Sequence, residues 1–118
     1  MGRRSHHVRS VERIADGSEA DERVLHHLAM LGCDSSVACE CTHYLYLPSR
    51  SDAGAVAQAL ECDGWQTVVR ESEAYCWLVE ATRTRALTSE LVRRTRDDLA
   101  ALASEHGGLY DGWEATVS

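Results

Sequence analysis

Apolar residues follow two spacings along the chain, one typical of helices and one typical of strands. Over residues 18–31 they recur every three or four positions, which predicts an amphipathic helix. Ser18 suits the N-cap of this helix, and Gly32 suits the left-handed position that follows its end. Residues 1–17 lack such periodicity, and we interpret them as a flexible basic leader.

From residue 40 onward, strand and helix patterns alternate. Two helices are predicted, over 49–62 with Ser49 as N-cap and over 88–105. The short polar loop between the second and third strands predicts an antiparallel hairpin. Strands are predicted where alternating or β-forming residues cluster, at 40–47, 65–70, 74–82 and 110–117.

The order of these elements predicts the fold class. It reads β-α-β-β-α-β, which is the ferredoxin-like order. We therefore expect an α+β domain over 18–118, with a four-stranded antiparallel sheet, two helices on one of its faces, and an extra N-terminal helix. A chain of 118 residues has room for one hydrophobic core. The second sheet face must meet solvent, the extra helix or a partner.

The charge of the chain narrows the choice of partners. It has 12 basic residues, all of them arginine, against 19 acidic residues. Because residues 1–17 hold four arginines and two acids, residues 18–118 hold eight basic and 17 acidic residues, a net charge of −9. Nucleic-acid binding needs basic side chains that displace counterions, so direct binding of RNA or DNA is disfavoured. A basic protein is the better electrostatic match.

The cellular compartment is predicted from what the sequence does not contain. No apolar run is long enough to span a membrane, and no apolar stretch follows the basic N-terminus as in an export signal. We therefore expect a cytoplasmic protein without a membrane contact. The count of five cysteines is odd, which favours reduced thiols over a disulfide framework.

One group of residues has the composition of a zinc site. Cys39, Cys41 and His43 alternate along a predicted strand and so share a face. Residues two apart in a straight strand are about 7 Å apart, too far for a tetrahedral site, and no CxxC occurs. We interpret the cysteines as small apolar residues and predict no metal and no cofactor.

The sequence lacks a framework for catalysis. No GxSxG segment is present, and Gly107-Gly108 is not followed by a helix that could hold phosphate. We therefore predict a protein that is not an enzyme. The seven Tyr and Trp residues lie on or beside predicted strands. Some must fill the core, while others on the open sheet face could anchor a protein contact.

Four segments of the chain resemble the family named regulator of ribonuclease activity B (RraB). They occur in the family's order between about Asp21 and Val117, and they read HYLYLPS (43–49), DGW (63–65), WLVEATRT (77–84) and SEHGGLYDGWE (104–114). The resemblance implies a ferredoxin-like domain without catalytic residues that binds ribonuclease E and inhibits it. It also implies a partner-binding surface formed by Tyr110, Asp111, Trp113, Glu114, Asp63 and Trp65. Core and turn roles are the alternative for these positions.

We therefore expect a non-catalytic regulator of RNA turnover that binds ribonuclease E, or a related RNA-decay component, by protein contact. A small-molecule- or metal-binding module is the alternative, and the cysteine-containing strand is the feature that would favour it. An enzyme is the third hypothesis.

Overall fold

A five-stranded antiparallel sheet forms the centre of the fold, in a computed structural model that describes residues 6–9, 23, 25, 26, 29, 30, 38–73 and 76–117. Its spatial order is β1-β5-β2-β4-β3, and every neighbouring pair is antiparallel. The pairing of β3 with β4 confirms the predicted hairpin. The strands are β1 (His6–Arg9), β2 (Ala38–Leu47), β3 (Gln66–Glu71), β4 (Trp77–Ala86) and β5 (Leu109–Val117).

Two helices, α1 (Arg50–Cys62) and α2 (Ser89–Glu105), begin at capping residues that the sequence makes recognisable. The Ser49 hydroxyl accepts a hydrogen bond from the Asp52 backbone N–H at 3.1 Å, as an N-cap does. Thr88 caps α2 in the same way through the Leu91 N–H, also at 3.1 Å. From β2 onward the order is β-α-β-β-α-β, so the predicted ferredoxin-like α+β order is confirmed.

The core lies between the two helices and one face of the sheet. Along β2 the buried and less buried positions alternate, with His43, Leu45 and Leu47 on the buried side. Tyr44 and Tyr46 lie on the other side. Both helices pack on the same side because one cluster contains residues from α1, α2 and the sheet, namely Leu45, Leu47, Ala53, Val56, Ala57, Leu60, Trp65, Val79, Ala81, Leu99 and Ala103.

The sheet differs from the prediction at two places. It has a fifth strand, β1, which pairs with the end of β5 and lies within the predicted flexible leader 1–17. The other leader residues lie outside the described residues. The last strand of the hairpin also runs to Ala86 instead of residue 82, because β4 stays paired with β2 up to the Ala38–Ala86 pair. Residues 74 and 75, predicted to begin this strand, lie outside the described part.

The predicted N-terminal helix over 18–31 is described only at separate residues. Arg23, Leu25, His26, Ala29 and Met30 have helical backbone, but no continuous helix is described there, and its predicted caps lie outside the described residues. The helix as an element therefore stays a prediction. Leu25 packs against a second buried cluster on the helix side of the sheet, formed by Cys39, Cys41, Leu87, Val92, Trp113 and Ala115.

No helix among the described residues combines the length and the apolar character needed to cross a membrane.

At Gly108 the backbone of one segment closely approaches that of another. A Cβ atom placed on it would contact the Tyr46 carbonyl oxygen and lie 2.7 Å from Leu47 Cδ1. Gly108→Ala is expected to lower the free energy of unfolding by about 1–3 kcal/mol, because a backbone atom cannot rotate away as a side chain can. Urea denaturation followed by circular dichroism measures the change.

Gly54 provides the matched control for this substitution. It lies inside α1, and a Cβ there would meet nothing within 4 Å. Gly54→Ala is expected to raise the free energy of unfolding by about 0.5–1 kcal/mol, since alanine restricts the unfolded chain and favours helix. Equal effects of the two substitutions would contradict the close approach at Gly108.

Candidate protein-contact site

Three of the predicted site residues meet around one buried histidine. His43 lies on β2, Tyr110 and Trp113 lie on β5, and Trp65 precedes β3. The His43 ring lies 6.1 Å from the Trp113 ring in a stacked arrangement and 5.4 Å from the edge of the Trp65 ring. Its Nδ1 atom lies 2.8 Å from the Tyr110 hydroxyl oxygen, which is hydrogen-bonding distance. We name these four residues the aromatic cluster.

An irregularity in β5 allows this cluster to form. Tyr110 pairs with Leu45 and Trp113 with His43, so three steps along β5 match two steps along β2. This extra residue is a β-bulge, and Gly112 within it has a φ of 97°. Residues three apart in a regular strand face opposite sides. The bulge therefore brings both rings to the helix side of the sheet.

Burial keeps His43 uncharged. Its side chain is 4% exposed, and burial, followed by the nearby Arg85 guanidinium, lowers its pKa from 6.5 to about 3. At neutral pH the imidazole is therefore neutral and has one donor and one acceptor nitrogen. The contact with Tyr110 is a hydrogen bond between uncharged groups, which holds the cluster together.

The sheet face opposite the helices carries a second group of side chains. Tyr44 and Tyr46 are half-buried there, and the Tyr44 hydroxyl donates to the Glu114 carboxylate. Val68 and Leu109 are the cross-strand partners of Glu80 and Tyr46, and they are 52% and 75% exposed. We name this group the open-face patch, consisting of Glu40, Tyr44, Tyr46, Val68, Glu80, Leu109 and Glu114.

The open-face patch combines apolar area with acidic side chains. None of the described helices packs on it, because the sheet residues that α1 and α2 bury lie on the opposite side. Arg70 forms an ion pair with Glu80 at 2.6 Å, while Glu40 is exposed at the start of β2. This face therefore carries the three carboxylates of Glu40, Glu80 and Glu114, together with Arg70 and, by its register opposite Glu114, Arg9. Exposed apolar and tyrosine side chains with acidic neighbours are typical of a surface that binds a basic protein.

The six predicted site residues do not lie on one surface. Trp113 is 1% exposed and Trp65 is 6% exposed, so both belong to the core. Glu114 reaches the open face, whereas Asp63 lies at the turn after α1 on the helix side. Tyr110 and Asp111 are half-buried. The structure thus brings the three rings together and places the carboxylates of Asp63 and Glu114 on different sides of the sheet.

The residues considered as zinc ligands have other roles in this structure. Cys39 and Cys41 are buried on the same strand face as His43. Cys39 is disulfide-bonded, which departs from the expectation of reduced thiols, while Cys41, Cys62 and Cys76 are free thiols. Burial raises the pKa of the Cys41 thiol to about 12, so it stays protonated. Within the described residues, no three His, Cys, Asp or Glu side chains are placed to hold a metal ion.

Sequence reasoning missed the central position of His43 and the arginines beside Trp65. The guanidinium carbons of Arg83 and Arg85 lie 5.5 and 5.2 Å from the centre of the Trp65 ring. One sequence feature did indicate the two arginines. Arg83 and Arg85 are two residues apart at the end of a strand-like segment, so they share one face of the sheet. No short-range pattern could have indicated that His43 contacts Trp65.

Comparison with protein families identifies a relationship that covers most of the chain. The family model described as regulator of ribonuclease activity B matches residues 18–115 of the chain. A comparison with curated proteins gives no match. The matched range contains the whole aromatic cluster and the whole open-face patch.

Proposed function

The chain belongs to the RraB family, and we propose from this membership that it binds ribonuclease E, or a related component of the RNA-decay machinery, and inhibits it. The match over residues 18–115 is the observation that carries the proposal. The family is one of regulators of ribonuclease activity, which fits a protein that acts by contact and without a reaction of its own. The contact takes place in the cytoplasm, where RNA is degraded.

The contact surface in this proposal is the open-face patch, and its occupant is an arginine-rich segment of the ribonuclease. Tyr44 and Tyr46 supply flat apolar area with a polar tip, which suits a protein interface. Val68 and Leu109 add exposed apolar area on the same face. The carboxylates of this patch attract the partner's guanidinium groups, and the net charge of −9 over residues 18–118 steers a basic segment toward it.

The predicted site residues have two roles in this proposal. Glu114 takes part directly, because it lies on the open face beside Tyr44. Asp111 extends the contact along β5, whereas Tyr110, whose hydroxyl contacts His43 on the helix side, and Asp63 lie outside it. Trp65 and Trp113 support the contact surface from the helix side of the sheet, because their buried rings hold His43 and β5 in place.

A charge reversal at Glu40 tests the surface. Glu40 is exposed on the patch, and Glu40→Arg is expected to weaken binding to purified ribonuclease E by about tenfold, through repulsion of the basic segment. Biolayer interferometry at low and moderate salt gives the affinity. Inhibition of RNA cleavage by the same samples gives the functional effect, and both are expected to weaken as salt rises.

Glu105→Arg is the matched control, because Glu105 is an exposed acid at the end of α2 and makes the same charge change. We expect its affinity for ribonuclease E to stay within about twofold of the parent chain's affinity. The change in net charge is the same in both variants, so it cannot account for a difference between them. Equal weakening by both variants would reject the open-face patch as the contact. No binding of the parent chain to ribonuclease E at low salt would reject the partner itself.

A further inference from the structure

A pocket of about 380 Å³ lies between the two helices on the buried side of the sheet. Trp65, Arg83 and Arg85 form its sheet side, and α2 contributes leucines including Leu91 and Leu102. Pockets that bind small molecules begin at about 300 Å³, so the volume suits a small organic ligand. No residue of the open-face patch lines it, and of the six predicted site residues only Asp63 and Trp65 do.

Two arginines point from the sheet into this pocket. Arg83 and Arg85 are two residues apart on β4, and their cross-strand partners Cys41 and Cys39 are buried on the helix side. Arg85 donates a hydrogen bond to the Thr95 hydroxyl at 2.6 Å, which fixes its guanidinium group. The Trp65 ring lies within 5.5 Å of both guanidinium carbons and orients them by cation–π contact.

These two guanidinium groups lack a carboxylate partner among the described residues. The ion pairs described for arginines involve Arg70, Arg94 and Arg96, and no carboxylate oxygen lies within 4.0 Å of Arg83 or Arg85. Burial, and then the neighbouring Arg83, lower the pKa of Arg85, and the smaller influences of Cys41 and the Asp63 carboxylate in the raising direction do not cancel that shift. Two cations placed side by side and partly removed from water repel each other, and an anion between them would relieve that cost.

The remaining lining limits the charge of that anion. Asp63 and Asp98 also line the pocket, while Arg94 is already paired with Glu90 at 2.8 Å. Two guanidinium groups and two carboxylates leave no formal net charge, so the lining offers no net attraction that would favour a multiply charged ligand. A head with a single charge and two oxygens, such as a carboxylate, matches the forked donors of arginine.

We propose that this pocket binds a small organic carboxylate, with its carboxylate paired to Arg83 and Arg85 and its apolar part against Leu91, Leu99 and Leu102. The pocket wall of leucine and tryptophan side chains favours an apolar ligand body, and its size exceeds what a carboxylate group alone would fill. This proposal does not depend on the ribonuclease partner, because it concerns the other side of the sheet.

Titration of the whole chain with benzoate tests the proposal. Benzoate is expected to give saturable shifts of the Trp65 indole N–H and of the Leu91 and Thr95 amides in heteronuclear NMR spectra. Benzyl alcohol has the same ring without the charge, and acetate has the charge without the ring. Both are expected to bind about tenfold more weakly than benzoate, since each loses one of the two interactions.

Arg83→Gln is expected to weaken benzoate binding by about tenfold, and Arg83→Lys to weaken it less, because lysine keeps the charge but loses the fork. Arg93→Gln is the matched control, since Arg93 is an exposed arginine of α2 that does not line the pocket. Its affinity for benzoate is expected to stay within about twofold. Near-ultraviolet circular dichroism verifies that each variant is folded.

Four results would overturn the proposal. The first is the absence of saturable shifts with benzoate, and the second is equal binding of benzyl alcohol. The third is an equal loss for Arg83→Gln and Arg93→Gln. Tighter binding of phenyl phosphate than of benzoate would reject the carboxylate head and identify a phosphate ester. Ribonuclease binding by the parent chain is measured separately, so failure here leaves the proposed function unaffected.

Discussion

Trp113→Ala is expected to lower the free energy of unfolding by about 3–5 kcal/mol, as truncations of large buried aromatic side chains do. Its ring is 1% exposed, stacks on His43, and packs in the cluster that joins β2, β5 and α2. Removing the indole leaves a cavity between elements that are fixed by strand pairing and cannot close around it. Guanidinium denaturation, followed by far-ultraviolet circular dichroism, measures the loss.

Leu109→Ala is the control on the same strand. Leu109 is 75% exposed, so its truncation is expected to change the free energy of unfolding by no more than about 0.5 kcal/mol. The resemblance that identified the family also allowed Trp113 to be a contact residue. If Trp113→Ala kept the parent stability but lost ribonuclease binding, that contact role would replace the core role assigned by its burial.

The helices could be predicted closely because their boundaries depend on local chemistry. Pro48 ends β2, and the Ser49 and Thr88 hydroxyls satisfy backbone N–H groups in the first turn of each helix. Both observed helices begin one residue after these caps and end where the sequence predicted. Within α2, Leu99 and Ala103 belong to the closed core, whereas Leu91 and Leu102 are half-buried at the pocket.

The strands were predicted less well where pairing decides their extent. β1 is only four residues long and follows no alternation of apolar residues, so its state depends on the neighbouring β5. The end of β4 contains Arg83 and Arg85, which interrupt the apolar pattern. Pairing with β2 nevertheless keeps them in the sheet, and the alternation of the two arginines does not by itself reveal that pairing.

The sequence predicted which residue types form the candidate site but not how they are arranged. The spacing of Tyr110 and Trp113 would place their rings on opposite sides of a regular strand, and only the bulge at Gly112 unites them. Bulges arise from how two strands match, which a single segment does not encode. The patch that we propose for contact draws on residues from four strands, so it could be recognised only after the sheet order was known.

Acid is expected to destabilise the chain through His43. The folded pKa of this side chain is lowered from 6.5 to about 3, so the unfolded chain takes up a proton below pH 6.5 while the folded chain does not. The stabilising contribution is therefore complete above pH 6.5 and is lost as the pH falls toward 3. Between pH 6.5 and about 4 the loss from this one group is about 3 kcal/mol, at 1.4 kcal/mol per pH unit.

Carboxylates also titrate in this range, so the effect of His43 is obtained from a difference. His43→Gln keeps a neutral hydrogen-bonding side chain near Tyr110 but cannot take up a proton. The variant is expected to be less stable than the parent chain at pH 7, and this deficit should shrink by about 3 kcal/mol as the pH falls to about 4. His26→Gln, at an exposed histidine, is expected to show no such convergence, because an exposed imidazole loses little hydration on folding. Urea denaturation of all three chains across this pH range gives the comparison. Parallel pH profiles of stability for the parent chain and His43→Gln would show that the fold does not hold the buried imidazole neutral.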